Sequence, residues 1–221
     1  MAYRRTENVV RRLAARHDAI IAAAGGLAAE AGINAVQIEP VSRRAGVATG
    51  TVYRYFPSKT ELVAALVASV SEREIGAMQR AADAAPGPLS ALAAAITTFA
   101  ARALANPKLA FALIAEQADG AADAARLGFR KALATELARR LSVAMGGGHL
   151  PDQDVAIAAP ALLGAIIEGL VGPLAAPADE ATARDAVQAI TLFALRAAGV
   201  ADARARGLVV QARMPGRERP G

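Results

Sequence analysis

The stretch Gly46 to Leu62, GVATGTVYRYFPSKTEL, constrains the fold more than any other part of the chain. A Gly-Val turn leads into a short helix bearing Tyr53, Arg54 and Tyr55, and a Pro57-Ser58 break then opens a new helix. Just upstream, Glu39 to Ala45 reads as another short, basic helix. A helix, a tight glycine turn and a second helix with polar and aromatic groups on one side is the layout of a helix-turn-helix, whose second helix lies in a DNA groove.

Composition places that unit in an all-α protein. Hydrophobic residues make up 54% of the chain and aromatics only 4%, with alanine supplying much of the apolar count. Alanine is the best helix former, and alternating Val/Ile/Thr-rich runs are missing. At 221 residues there is room for a small domain and a larger one. The lack of cysteine excludes a disulfide framework and a thiolate zinc site, and suits the cytoplasm. No apolar run directly follows the arginine-rich start, so no signal peptide is expected.

The placement of charge is more informative than the net value of +5. Residues 1–60 hold nine Arg/Lys against four acids, residues 61–199 eleven against fourteen, and the tail from Val200 five against two. The excess positive charge sits at both ends, and the N-terminal excess coincides with the reading motif, as phosphate contact would require.

The expected organisation is a DNA-binding domain over residues 1–60, a larger helical domain over 61–199 and a disordered basic tail over 200–221. Residues 1–11 read as a disordered basic arm, followed by a helix from Arg12 to Ala31 with Gly25-Gly26 inside it. Pro40 suits the first turn of the Glu39–Ala45 helix, where a missing N–H is harmless. Ser58 and Glu61 match the capping-box pattern and start a long helix to Ala84. Further helices are expected at Leu89–Ala105, Lys108–Ala118 and Ala121–Met145. Another runs from an Asp152 cap to Leu174, interrupted or kinked at Pro160, and a last one spans Asp179–Ala198.

With these residues in place, the chain resembles the TetR family of transcriptional regulators. The resemblance covers about Arg16 to Leu66: Ile20, Ala23-Ala24, Leu27 and Gly32, then Ala45-Gly46-Val47, Gly50 to Phe56, and Pro57-Ser58-Lys59 with Glu61-Leu62. Three positions depart from the family pattern. Ala48 stands where a serine usually caps the recognition helix, leaving the cap to Thr49 or water. Gln37 replaces a common threonine at the start of the second helix, and Ala28 a common phenylalanine in the first. The resemblance implies an N-terminal three-helix DNA-binding domain and a larger C-terminal helical domain for ligand binding and dimerisation.

Thr49, Gly50 and Thr51 lead the third helix, where N-terminal residues face base edges. Glycine lets the backbone approach the duplex, and threonine offers a hydroxyl and a methyl. Tyr53, Tyr55 and Lys59 suit phosphate anchoring, with core packing competing for one tyrosine. Arg54 can reach base or phosphate or simply face solvent. Gln37, Arg43 and Arg44 complete the DNA-facing set, although exposed arginines are often only a solvated face.

For an effector pocket, which the resemblance implies in the larger domain, the candidates are Phe99, Arg102, Phe111, Gln117 and Phe129, with core packing as the ordinary role of such aromatics. Glu168 is the lone charge in the run Val155 to Ala178. It is either at an exposed helix edge or buried with a partner, which could be a cationic ligand. Pro160, Pro173, Pro177 and Glu168 argue against a lipid-facing span. The resemblance implies instead that the last two helices pair with their symmetry mates, giving a homodimer on a palindromic operator. No G-x-S-x-G, no P-loop and no metal-ligand spacing is present, so no enzyme, cofactor or metal is expected. The expected function is a repressor released from double-stranded DNA by a small molecule. The alternative is a small-molecule-binding or interaction module on the same scaffold with vestigial DNA binding.

Overall fold

The computed structural model describes residues 2–116, 120–175 and 179–212, with side chains outside 1–8 and 117–122. Ten α-helices and no strand occur among the described residues. The first three, α1 (Ala2–Ala31), α2 (Ile38–Arg44) and α3 (Thr49–Tyr55), form the N-terminal unit, with a 3-10 turn (Ile33–Ala35) after α1. Helix α4 (Lys59–Asp83) leads into α5 (Pro88–Ala105), α6 (Pro107–Ile114), α7 (Gly120–Gly146), α8 (Val155–Ala175), α9 (Glu180–Ala197) and α10 (Asp202–Gln211).

The N-terminal core forms where the short helices turn their few large apolar groups onto α1 and α4. Ile20, Ala24 and Ala28 of α1, Val41 of α2, Val52 of α3 and Leu62 and Leu66 of α4 are all fully buried. The two glycines inside α1 differ in their surroundings: Gly25 has room for a side chain, and only Gly26 is closely approached. A Cβ on Gly25 would sit 3.5 Å from Leu66 Cδ1, and one on Gly26 only 2.9 Å from Arg44 Nε. Ala31 is exposed, whereas Ala28 fills the inward position.

The structure corrects several expectations. The N-terminal arm is helical from Ala2, because AYRRTENVVRR contains no breaker and extends α1 directly. The tail is ordered over Asp202–Gln211, where Ala205 and Leu208 are buried against the preceding helices. Its arginines masked that apolar pair; the remainder of the tail, 213–221, lies outside the described residues. Helix α8 begins at Val155 with Asp154 as its cap, its Oδ1 accepting from Ala156 N at 2.9 Å, in place of Asp152. It continues through Pro160 and Pro173 without interruption. Helix α6 ends at Ile114, earlier than the expected Ala118, which itself lies outside the described residues.

Helices α5 and α8 are long and apolar enough to cross a membrane, by length and composition. The fold buries 61% of the apolar window of α5 but only 33% of that of α8. The outward side of α8 explains the difference, since Ile157, Pro160, Ala161 and Glu168 are all exposed.

One polar cluster ties α4 to α7. Glu136 of α7 is 3% exposed and accepts from Gln79 Nε2 at 3.2 Å, Arg139 Nη2 at 2.9 Å and Arg140 Nε at 2.7 Å. Arg140 also reaches Asp83 Oδ1 at 2.8 Å. Burial pushes the Glu136 carboxyl up, but the hydrogen bonds from Arg139, Arg140 and Gln79 outweigh it and hold its pKa below the ordinary value. A depressed carboxylate pKa adds stability above the unfolded value, and that stability is lost as pH falls through the folded value.

Replacing Glu136 by alanine leaves a buried arginine short of acceptors and is expected to cost about 3 kcal/mol. The corresponding fall in Tm, roughly 6–12 °C by calorimetry, should shrink as the pH is lowered into the carboxylate range. The second expectation concerns α3, whose N-cap residue Ala48 offers no side-chain hydrogen bond. Ala48→Ser should raise stability by about 0.5–1 kcal/mol in urea unfolding; no gain would mean that the end of α3 is satisfied in another way.

Candidate nucleic-acid interface

The turn between α2 and α3 sets the aim of α3. Gly46 takes φ 65°, the left-handed region that glycine adopts at no steric cost. Gly46 N then donates to Arg43 O at 3.3 Å and Val47 N to Ser42 O at 3.0 Å, satisfying the last carbonyls of α2. Val47 is half-buried against the core and holds the corner. A hydroxyl chain adds a second tie. Ser42 Oγ donates to Glu39 O at 2.8 Å and lies 3.2 Å from Thr49 Oγ1. With the single Ser42 proton used on Glu39, Thr49 is the donor in that pair.

Helix α3 buries Val52 completely, and Phe56, just past its end, is 4% exposed. The opposite face is open. Thr49, Gly50, Tyr53 and Arg54 are exposed and Thr51 is half-buried. Tyr53 is 51% exposed, high for a large aromatic group. Nothing lies within 4 Å of where a Cβ on Gly50 would be, as at several other helical glycines of the chain. Gly50 is the second residue of α3, so it leaves the first turn of that helix without a side chain on its open face.

The other predicted residues divide into groups with and without internal work. Lys59 is half-buried at the first position of α4, beside the Ser58 cap that accepts from Glu61 N at 3.1 Å. Arg43 is exposed. Arg44 is bound by Glu30 through both terminal nitrogens, with Nη1 to Oε2 at 2.6 Å, so it braces α2 on α1. Tyr55 is also a brace: its hydroxyl donates to Leu13 O at 3.3 Å and its ring meets His17 and Phe56. Arg54 stacks its guanidinium 5.9 Å from the Tyr55 ring centroid. Gln37 is the exposed N-cap residue of α2 and donates from Nε2 to Asn34 O at 3.0 Å. Of the two caps expected for α3, Thr49 or water, Thr49 does not serve, because its hydroxyl is turned to Ser42.

The candidates beyond α4 differ in their surroundings. Phe99 and Phe129 are each 4% exposed and belong to the core. Phe111 is half-buried, and Arg102 is held by Glu74, with Nε to Oε2 at 2.7 Å and Nη2 to Oε1 at 3.1 Å. Gln117 lies outside the described residues. Glu168 is exposed on α8, with no hydrogen bond or ion pair among the described residues. A cleft of about 410 Å³ opens between α4 and α7 beside Ile75, Gln79, Lys131 and Glu136. A second, of about 250 Å³, lies among α7, α8 and α9, next to Leu141, Leu162 and Phe193. Neither is lined by the predicted effector residues. Gln79 and Glu136 escaped notice because their meeting across two helices has no local signature. No group of three possible metal ligands occurs among the described residues.

The apolar residues of α8 and α9 divide between the core and the surface. Val187, Ile190, Ala194 and Leu195 are buried inside the protomer. What remains exposed includes Ile157 at 67% and Phe193 at 55%.

Comparison with known proteins places this geometry. The chain is 47% identical over 58 residues to the HTH-type transcriptional repressor KstR of Rhodococcus jostii, a match covering 26% of this chain and 27% of that protein. The chain thus spans about a quarter of the length of this relative. Across the fold it superimposes on the SmeT–triclosan complex with a TM-score of 0.72 and 23% identity, covering 93% of this chain and 100% of the other. SmeT is described as the repressor of a Stenotrophomonas maltophilia multidrug efflux pump. The RolR–resorcinol complex matches with a TM-score of 0.69 and 22% identity over 94% of this chain and 98% of its own. Likeness at that level of identity establishes the fold. Residues 20–66 match the profile of the bacterial regulatory proteins of the tetR family. The N-terminal residues 20–66 are thus similar to the DNA-binding domain of the tetR family.

Proposed function

We propose that the protein is a cytoplasmic, homodimeric transcriptional regulator that binds a palindromic double-stranded operator and is released from it by a small molecule. The observation that carries this reading is the open face of α3. A Cβ on Gly50 would meet open space, and Gly50 lies between exposed Thr49 and half-buried Thr51, one turn from exposed Tyr53. A helix that keeps such a face bare and leads it with glycine suits close approach to a duplex.

In this reading residues 1–60 bind DNA, and residues 61–199, with α10 packed against them, bind the effector and dimerise. Thr49, Gly50, Thr51 and Arg54 meet base edges, while Gln37, Arg43, Tyr53 and Lys59 hold phosphates. Arg44 and Tyr55 act mainly as braces that set the angle of α2 and α3. The KstR match supports a repressor, and the ligand-bound SmeT and RolR structures support an effector cavity in the larger domain. The exposed apolar faces of α8 and α9 supply a surface for a two-fold partner. An effector that prefers the released arrangement would shift the spacing of the two readers through α4.

The protein should retard DNA from upstream of its own gene in a gel-shift assay. Affinity should fall by about 10³-fold or more between 50 and 200 mM salt, as expected for several phosphate contacts. Replacing Tyr53 and Lys59 together by alanine should abolish the shift while leaving circular dichroism unchanged; a shift that survives the pair excludes them as anchors. Phe193→Asp should convert the dimer to a monomer in sedimentation, because a carboxylate would lose its water in an apolar interface. A dimer unaffected by this change would place the interface elsewhere.

A further inference from the structure

We infer that Glu116 is a positioning residue that ties the larger domain to the DNA-facing end of α2; the inference rests on the DNA-binding reading above. Glu116 follows α6, yet its side chain crosses to the turn after α1. Glu116 Oε2 accepts from Ile33 N at 3.0 Å, and Oε1 lies 3.4 Å from Asn34 Nδ2. The main-chain carbonyl of Asn34 in turn accepts from Gln37 Nε2 at 3.0 Å. Three links therefore run from the α6–α7 connection to the N-cap of α2, a predicted phosphate contact.

The surroundings are built for this crossing. Gly32 takes φ 81°, and a Cβ there would lie 2.7 Å from Glu116 Oε2, so the carboxylate rests directly on the glycine. Ile33 is 3% exposed, and a buried amide needs an acceptor; Glu116 is the one it has. A carboxylate is a strong acceptor for it. On the other side, Arg126 of α7 donates from Nη1 to the main-chain carbonyl of Glu116 and pairs with Asp123 at 3.4 Å. Arg126 Nε is buried and has no acceptor among the described residues.

The consequence is a short route for regulation. Movement of α6 or α7 pulls on Glu116, and Glu116 moves the 33–37 turn that seats Gln37. This route acts alongside α4 and needs no change in α3 itself.

Two measurements on the full chain test it. Hydrogen exchange on free protein reads the tie directly: Glu116→Ala should speed exchange of the peptide containing residues 33–37. Fluorescence anisotropy on an upstream fragment bound by the wild type reads the coupling. Glu116→Ala should weaken binding roughly tenfold, within the usual range for coupling between sites. Glu116→Gln, which retains an acceptor for Ile33 N, should lie between the two. Gln37→Ala combined with Glu116→Ala should bind no more weakly than the worse single variant, since both act on one chain of bonds. Unchanged exchange overturns the tie, and faster exchange with binding within about twofold of wild type, or with additive effects in the double variant, overturns the positioning role. If exchange rises but the wild type binds no upstream fragment, the DNA-binding reading itself fails and takes the coupling with it.

Discussion

Helix α4 is buried at its two ends against different partners, and the arrangement of the protein depends on that double commitment. Leu62 and Leu66 near its start are fully buried, and Met78 and Ala82 near its end are 2% exposed, all four within one continuous core. A continuous helix transmits rotation and translation along about 1.5 Å per residue without slack. The Ser58 cap and the Glu136–Arg140–Asp83 cluster fasten the two ends.

The two halves are stabilised by different chemistry. The N-terminal unit has short helices and a small core, so it relies on specific ties: the glycine turn at Gly46, the Ser42–Thr49 hydroxyl pair, and the Arg44–Glu30 and Tyr55–Leu13 braces. These fix the orientation of α3 while leaving its outer face bare. The larger domain relies on alanine-rich helices in close contact, with Leu92, Leu133, Leu137 and Leu170 fully buried. Small side chains allow near approach of the helices, and the two clefts described open at helix seams.

The reading motif was legible because each of its parts is local. Gly46 follows from a left-handed turn, Ser58 from a cap to Glu61, and Val52 with Phe56 from a three-to-four spacing on one short helix. Arg44 and Tyr55 were harder to read. Both types suit DNA contact, and only the approach of α1 shows that Glu30 and Leu13 take them. The tail misled for a related reason: arginines around Ala205 and Leu208 resemble a solvated segment until α10 is seen packed on its neighbours.

By itself the sequence determined the all-helical class, the helix-turn-helix and its open face, since these follow from propensity, capping and periodicity over a few residues. Tertiary structure alone decided which charges are braces, which faces of α8 and α9 stay exposed, and that Glu116 meets Ile33 across 83 positions of chain. Such pairings depend on the relative placement of distant helices. No local rule of spacing or propensity encodes that distance.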